Sequence, residues 1–204
     1  SSNPLLGPIT SSKMGKSSSA EFSLSSISNE FFLDYAGSHI NSLSVNGTHV
    51  KDLTLLRKGS FFYPPSDLLR KGENNLSISF ANAYGRGGYG LHSYIDIDQK
   101  QYIYSHSEPY HANKIFPCFD QPDIKGTFKL SVMAPDDWIV ASNEIVDNSS
   151  KTLPAQEFFD RQEDDTEEYK VHNFKSTSPV STYLYAVIAG PYKQITSKNQ
   201  DIPM

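Results

Sequence analysis

An all-β domain of antiparallel strands is the fold this sequence predicts, and three observations predict it. Apolar and polar residues alternate in short runs, as in "NLSISFA", where Leu76, Ile78 and Phe80 share one face. Turn signals separate those runs, among them Asn46-Gly47 and the glycine-rich "GRGGYG". Helical periodicity is weak throughout. The best candidate, "PPSDLLRKGENN", offers Ser66 as an N-cap and Gly72 as a stop, which leaves room for one or two turns. Short alternating strands joined by turns point to a sandwich or stack of antiparallel sheets.

Taken in chain order, residues 1–20 read as a flexible or atypical lead rich in Ser, Gly and Pro, without the apolar centre of a secretion signal. The domain then runs over 21–204. "AEFSL" places Phe22 and Leu24 on one face, and "EFFLDY" and "INSLSV" are two further strands. Asn46-Gly47 turns "LSV" back into "THV". After "NLSISFA" and the glycine-rich connection, "LHSYIDIDQKQYIY" alternates like a strand. In "TFKLSVMAP" Phe128, Leu130 and Val132 share a face. The acidic run "QEFFDRQEDDTEEYK" is a solvated loop or an exposed strand edge. "STYLYAVIAGPY" is apolar on both faces from Tyr183 to Ala189, the pattern of a central strand covered on both sides. No internal repeat or interdomain linker stands out.

Composition narrows the function classes. The 204 residues suit one domain of moderate size or two very small ones, and 37% hydrophobic with 12% aromatic residues is enough for a packed core. A formal charge of −5 without any Lys/Arg block argues against nucleic acid as a partner. Cys118 is the single cysteine, so neither an internal disulfide nor a cysteine-based zinc cluster can form. A reducing, cytoplasmic compartment is the simpler reading. Three glycosylation-type triplets oppose it, at Asn46, Asn75 and Asn148, but such triplets arise readily by chance in a chain this rich in Asn and Ser. No apolar run approaches the length of about 18 residues that a membrane helix needs, so none is expected.

The densest reactive stretch is "SHSEPYHANKIFPCFDQPD", Ser105 to Asp123. "GRGGYG" before it fits the dinucleotide-binding spacing, but a strand and not a helix follows it, so it reads as a connection between strands. Cys118 lies between Pro117 and Phe119 with no neighbouring base, which suits a small buried hydrophobe better than a nucleophile. His106, Glu108 and His111 fall at no regular metal-ligand offset, and the chain has no H-E-x-x-H, no G-x-S-x-G and no phosphate-binding P-loop. No complete catalytic apparatus is present. Glu108 remains, on a proline-stiffened loop among aromatic residues. Such a carboxylate is suited to hold a substrate ammonium at a cleft, and equally to be a surface carboxylate or one half of a local salt bridge.

The stretch "YSHSEPYHANKIFPCFDQPDIKGTFKLSVMAPDDWIVASN" resembles the N-terminal domain of the zinc aminopeptidases of the aminopeptidase-N and puromycin-sensitive type, which include the leukotriene hydrolase. The similarity rests on Glu108-Pro109, Phe116 to Asp120, Pro122, Lys125, Phe128, Ala134-Pro135, Trp138 and Ser142-Asn143. "GYGLHSYID" upstream and "FKSTSPVSTYLYAVIAGPY" downstream extend it, from about Glu21 to the end. The resemblance implies a saddle-shaped all-β unit packed on a thermolysin-like catalytic domain. It also implies that Glu108 reaches that active site and binds the free α-amino group of a peptide, so that only the first peptide bond meets the zinc. His106 lies where the family usually has a glutamine lining the same pocket. The arginine common in the following turn is replaced by the Asn113-Lys114 region, and residues 1–20 lack the family's alternating first strand. The chain stops at Met204, about where the catalytic domain should begin, so no zinc site is expected within it. The expected partners are therefore that catalytic domain and peptide N-termini. The alternative is a scaffold or interaction domain on the same fold without catalysis.

Overall fold

The computed structural model describes residues 13–27, 31–85, 87–147, 151–154 and 168–195. Strands dominate it. The first half of the chain forms β1 (Lys13–Leu24), β2 (Leu33–Asp34), β3 (His39–Val45), β4 (Thr48–His49), β5 (Arg57–Lys58), β6 (Phe61–Phe62) and β7 (Gly72–Ala83). There follow β8 (Gly90–Ile95), β9 (Gln101–His106), β10 (Lys125–Gly126), β11 (Ser131–Pro135) and β12 (Ile139–Ser142). The last are β13 (Lys151–Pro154), β14 (Glu168–Asn173), β15 (Val180–Ser181) and β16 (Val187–Gly190). Their sheets are ordered β1-β7-β3-β4, β2-β6-β5, β12-β16-β9-β8, β11-β14-β13 and β10-β15, and every strand pair is antiparallel. An all-β fold of stacked antiparallel sheets is what the alternation predicts.

The first sheet shows how period-2 patterning fixes a register. Leu76, Ile78 and Phe80 of β7 are buried, while Ser77 between them is exposed. Leu43 and Val45 of β3 meet the same core, with Leu43 opposite Ile78 and Val45 opposite Leu76. Asn46-Gly47 closes the β3–β4 hairpin with φ of 51° and 83°, the left-handed pair that a two-residue turn requires. The Asn46 side-chain amide also donates through Nδ2 to Leu68 O at 2.9 Å and Asn74 Oδ1 at 3.0 Å.

Three expectations are corrected. β1 begins at Lys13, so Lys13–Ala20 is strand and not part of a flexible lead. It pairs with β7 from Lys13 opposite Ala83 to Leu24 opposite Gly72. Serine carries little apolar signal, and a backbone ladder to a strong neighbour holds such a strand without it. Residues 1–12 lie outside the described residues. The helix expected after Pro65 is a single 3₁₀ turn, Ser66–Leu68, with Pro65 and not Ser66 at the cap position. The segment from Tyr183 also divides: Thr182–Leu184 is a 3₁₀ turn, and only Val187–Gly190 is strand, placed centrally between β12 and β9. Of the acidic run, Glu168–Lys170 belongs to β14, and residues 155–167 lie outside the described residues.

Two apolar clusters form the core. One gathers Leu33, Tyr35, Leu43, Phe62, Leu76 and Phe80 under the first sheet. The other gathers Leu91, Ile103, Ile115, Val132, Trp138 and Phe174 between the later sheets. Burying each such side chain contributes about 1.5–3 kcal/mol. Phe116 packs against both clusters. A polar tie joins them as well. Buried Asn82 accepts the Tyr35 hydroxyl at 2.6 Å and donates to Ile115 O at 2.8 Å, so the end of β7 is fixed to the segment that follows Glu108.

Candidate functional site

The site is built where β9 ends. β9 pairs with β8, and this hairpin sets His106 opposite Gly90, at the end of the glycine-rich connection. That connection leads into a strand and not a helix, so its G-x-G-x-x-G spacing holds no phosphate cradle. Ser107 is buried and donates through Oγ to Tyr185 O at 3.2 Å. Ser105 Oγ accepts the Val187 amide at 2.8 Å. The chain then turns through Glu108, with a cis peptide between Glu108 and Pro109, and the His111 amide donates to Ser107 O at 2.7 Å. A 3₁₀ turn follows over Ala112–Lys114.

Glu108 is exposed on that turn, and its carboxylate makes no hydrogen bond or ion pair among the described residues. The backbone beneath it is pinned. Buried Asp120 accepts the Asn113 amide at 3.0 Å and the Asn113 side-chain amide at 2.6 Å through Oδ2. Its Oδ1 accepts the Thr182 hydroxyl at 2.7 Å. Asn113 in turn donates through Nδ2 to Tyr110 O at 3.2 Å, and its carbonyl accepts the Ala36 amide at 2.9 Å. Phe116 to Asp120 thus serves as a clip for the Glu108 turn.

His106 is exposed, but its ring is engaged: Nδ1 lies 2.7 Å from Gly88 O, and Tyr89 sits 5.5 Å away between ring centroids. Tyr89 also packs on His111 at 4.2 Å and carries Lys114 Nζ at 5.3 Å from its ring centre. Burial and the neighbouring Lys114 charge push the His111 imidazole below its usual pKa, so it is predominantly neutral at pH 7. The residues singled out Glu108 and the resemblance added His106, and neither pointed to Tyr89. The missing signal was register. Once Ile95 is set opposite Gln101 across the "DIDQK" turn, Gly90 falls opposite His106 and Tyr89 comes beside it.

Cys118 is buried, and burial together with Asp120 and Asp34 pushes its thiol well above the usual range. That environment disfavours a thiolate, and the side chain packs as a small hydrophobe. Its backbone exchanges hydrogen bonds with Asp34, at 2.8 and 3.1 Å. No group of three or more His, Cys, Asp or Glu side chains among the described residues could hold a metal ion. No described helix is long and apolar enough to cross a membrane.

Comparison with known proteins adds a family to this geometry. The model of the peptidase M1 N-terminal domain matches residues 10–184. Aminopeptidase N of Streptomyces lividans is 29% identical over 180 residues, which is 86% of this chain and 19% of that protein. A probable M1 family aminopeptidase 1 of Encephalitozoon cuniculi is 33% identical over 167 residues, 81% of this chain and 17% of the relative. Leucine aminopeptidase 2 of Vanderwaltozyma polyspora is 27% identical over 170 residues, 79% of this chain and 23% of that protein. The chain therefore spans about a fifth of the length of these curated relatives.

Proposed function

This chain belongs to the peptidase M1 N-terminal domain family, and we propose that in its parent protein Glu108 anchors the free α-amino group of a peptide substrate. The parent is then a zinc aminopeptidase that removes N-terminal residues, with the metal held by a catalytic domain outside this chain. Zinc would supply Lewis-acid chemistry there.

The observation that carries the proposal is the contrast at Glu108. Its carboxylate is exposed and uncommitted among the described residues, while the turn under it is fixed by Ser107, Asn113 and buried Asp120. With the backbone already fixed, binding a cation orders only the Glu108 side chain, at a cost of about 0.5–1.5 kcal/mol. A carboxylate–ammonium hydrogen bond in a water-poor cleft contributes about 1.5–3 kcal/mol. It fixes the substrate's first residue and so selects the first peptide bond by position.

Glu108→Ala and Glu108→Gln in the full-length protein test this directly. Both are expected to lower kcat/KM on short peptides by about 10–100-fold, as the loss of that hydrogen bond implies. Wild-type efficiency in both variants would overturn the anchoring role.

A second reading, a scaffold without catalysis, is favoured by His106. It replaces the usual glutamine and spends Nδ1 on Gly88 O. An H-E-x-x-H with a later glutamate in the downstream sequence supports the enzyme, and its absence supports the scaffold.

A further inference from the structure

Glu108 shares its exposed turn with a large ring. Tyr110, two residues on, is 59% exposed and belongs to neither apolar cluster. Exposure alone would mean little, since single apolar side chains are common on protein surfaces. Its support is what sets Tyr110 apart. The ring stacks on His111, with 5.7 Å between centroids and 14° between planes. His111 packs in turn on Tyr89 at 4.2 Å, and Tyr89 meets His106 at 5.5 Å. Tyr110, His111, Tyr89 and His106 thus form one run of rings whose two ends, His106 and Tyr110, flank Glu108 in the chain.

The backbone is held too. Tyr110 O accepts the Asn113 side-chain amide at 3.2 Å, and that amide also donates to buried Asp120 at 2.6 Å. Aromatic pairs at these separations attract one another, so the Tyr110 ring stands in place before a ligand arrives. Preorganisation of that kind lowers the ordering cost of binding. Tyr89 is the less available surface, since it already carries His106, His111 and the Lys114 ammonium. Among the described residues Tyr110 touches one ring only, which leaves the rest of its surface open.

We propose that Tyr110 is a specificity-determining residue: it forms an aromatic wall against the first side chain of the peptide and favours substrates that begin with an aromatic residue. The inference rests on the anchoring role of Glu108 and names the substrate class for that same site. Reach supports it. Two residues of chain span at most about 7 Å, and the first side chain of a peptide branches from the carbon that bears its amine. An ammonium held on Glu108 therefore brings that side chain within range of the Tyr110 ring. A flat ring gains a stacking contribution there that an aliphatic side chain of similar area does not.

Hydrolysis of two peptides that differ only in their first residue, Phe or Leu, tests this in the full-length protein. Leu supplies bulk without a ring, so the Phe-to-Leu ratio of kcat/KM reads the stacking. Tyr110→Ala is expected to lower that ratio by about 3–10-fold. Tyr110→Phe keeps the ring and is expected to keep the ratio. His111→Ala removes the support and is expected to lower it by a smaller factor. The ratio does not depend on how much of a sample is folded, so a loss of stability cannot imitate this result. A wild-type ratio in Tyr110→Ala would overturn the proposal. Glu108→Ala keeps the two readings apart, because loss of the anchor lowers the rate on both peptides together. A normal rate in Glu108→Ala with a lowered ratio in Tyr110→Ala removes the anchor and leaves the wall. The opposite pair of results removes the wall and leaves the anchor. No hydrolysis of either peptide by the wild type would overturn both.

Discussion

Asp120 shows how one buried carboxylate can govern an exposed one. It is 6% exposed and accepts three hydrogen bonds, two from Asn113 and one from Thr182, which hold the chain after Glu108 against the 3₁₀ turn before β16. Its own amide donates to Asp34 Oδ2 at 3.1 Å. Replacing it with alanine leaves the Asn113 amide and the Thr182 hydroxyl buried without an acceptor. Leaving buried donors unsatisfied costs about 1–3 kcal/mol each, so Asp120→Ala is expected to lose about 3 kcal/mol of unfolding free energy in denaturant titration. Glu108→Ala removes no such contact and is expected to change stability by less than about 0.5 kcal/mol. If the two variants were equally stable, Asp120 would not be the clip. The sequence alone made Glu108 and the Phe116–Asp120 turn legible, since proline and the reactive residue types mark them. It did not reveal Asn113, Tyr89 or Thr182 as partners, because those contacts cross from one element to another and no local pattern encodes them.

Among the elements, β14 carries a pH sensitivity of its own. His172 lies opposite Val132 in the β11–β14 pair, 6% exposed, and its Nε2 has no hydrogen-bond partner among the described residues. Burial, reinforced by the Lys170 charge, pushes its pKa down to about 4. The folded state therefore keeps the ring neutral, whereas the unfolded chain binds a proton near the ordinary value of 6.5. Below that value the unfolded state takes up a proton that the folded state refuses, so stability falls as pH drops from about 6.5 to about 4 and levels off beneath. The loss over that window is about 2–3 kcal/mol. In denaturant unfolding at pH 7, 5.5 and 4, a His172→Leu variant is expected to lose less stability over that window than the wild type. Parallel curves would remove His172 as the cause. Strands like β7 and β3 were the legible kind, because more and less buried residues alternate in them. The first half of β1 was not, since serines hide its period, and the segment before β16 was not, since a 3₁₀ turn and a buried strand share one apolar composition.

At the scale of the whole molecule, the two core clusters need a joint if Glu108 is to be held in register with the rest of the domain. Phe116 supplies it. Its ring packs against both clusters and meets Tyr185 at 4.9 Å and Phe128 at 6.0 Å, edge to face in each case. The neighbouring backbone is tied to both halves: Asn82 donates to Ile115 O from the first sheet, while Cys118 bridges to Asp34 of β2. A side chain shared between two cores contributes to their coupling as well as to each core. Phe116→Ala leaves a cavity at the junction and is expected to cost about 3–4 kcal/mol, the usual range for a large aromatic. The distinguishing readout is cooperativity. With the joint weakened, hydrogen exchange in β9 and β16 should part company with exchange in β3 and β7, and the two groups should open with different free energies. Phe22, which packs only against the first cluster, is the control: its truncation is expected to lower β3 and β7 first, without a comparable drop in β9 and β16. Uniform loss of protection across both groups in Phe116→Ala would mean that the joint lies elsewhere, with the Asn82 tie as the next place to look.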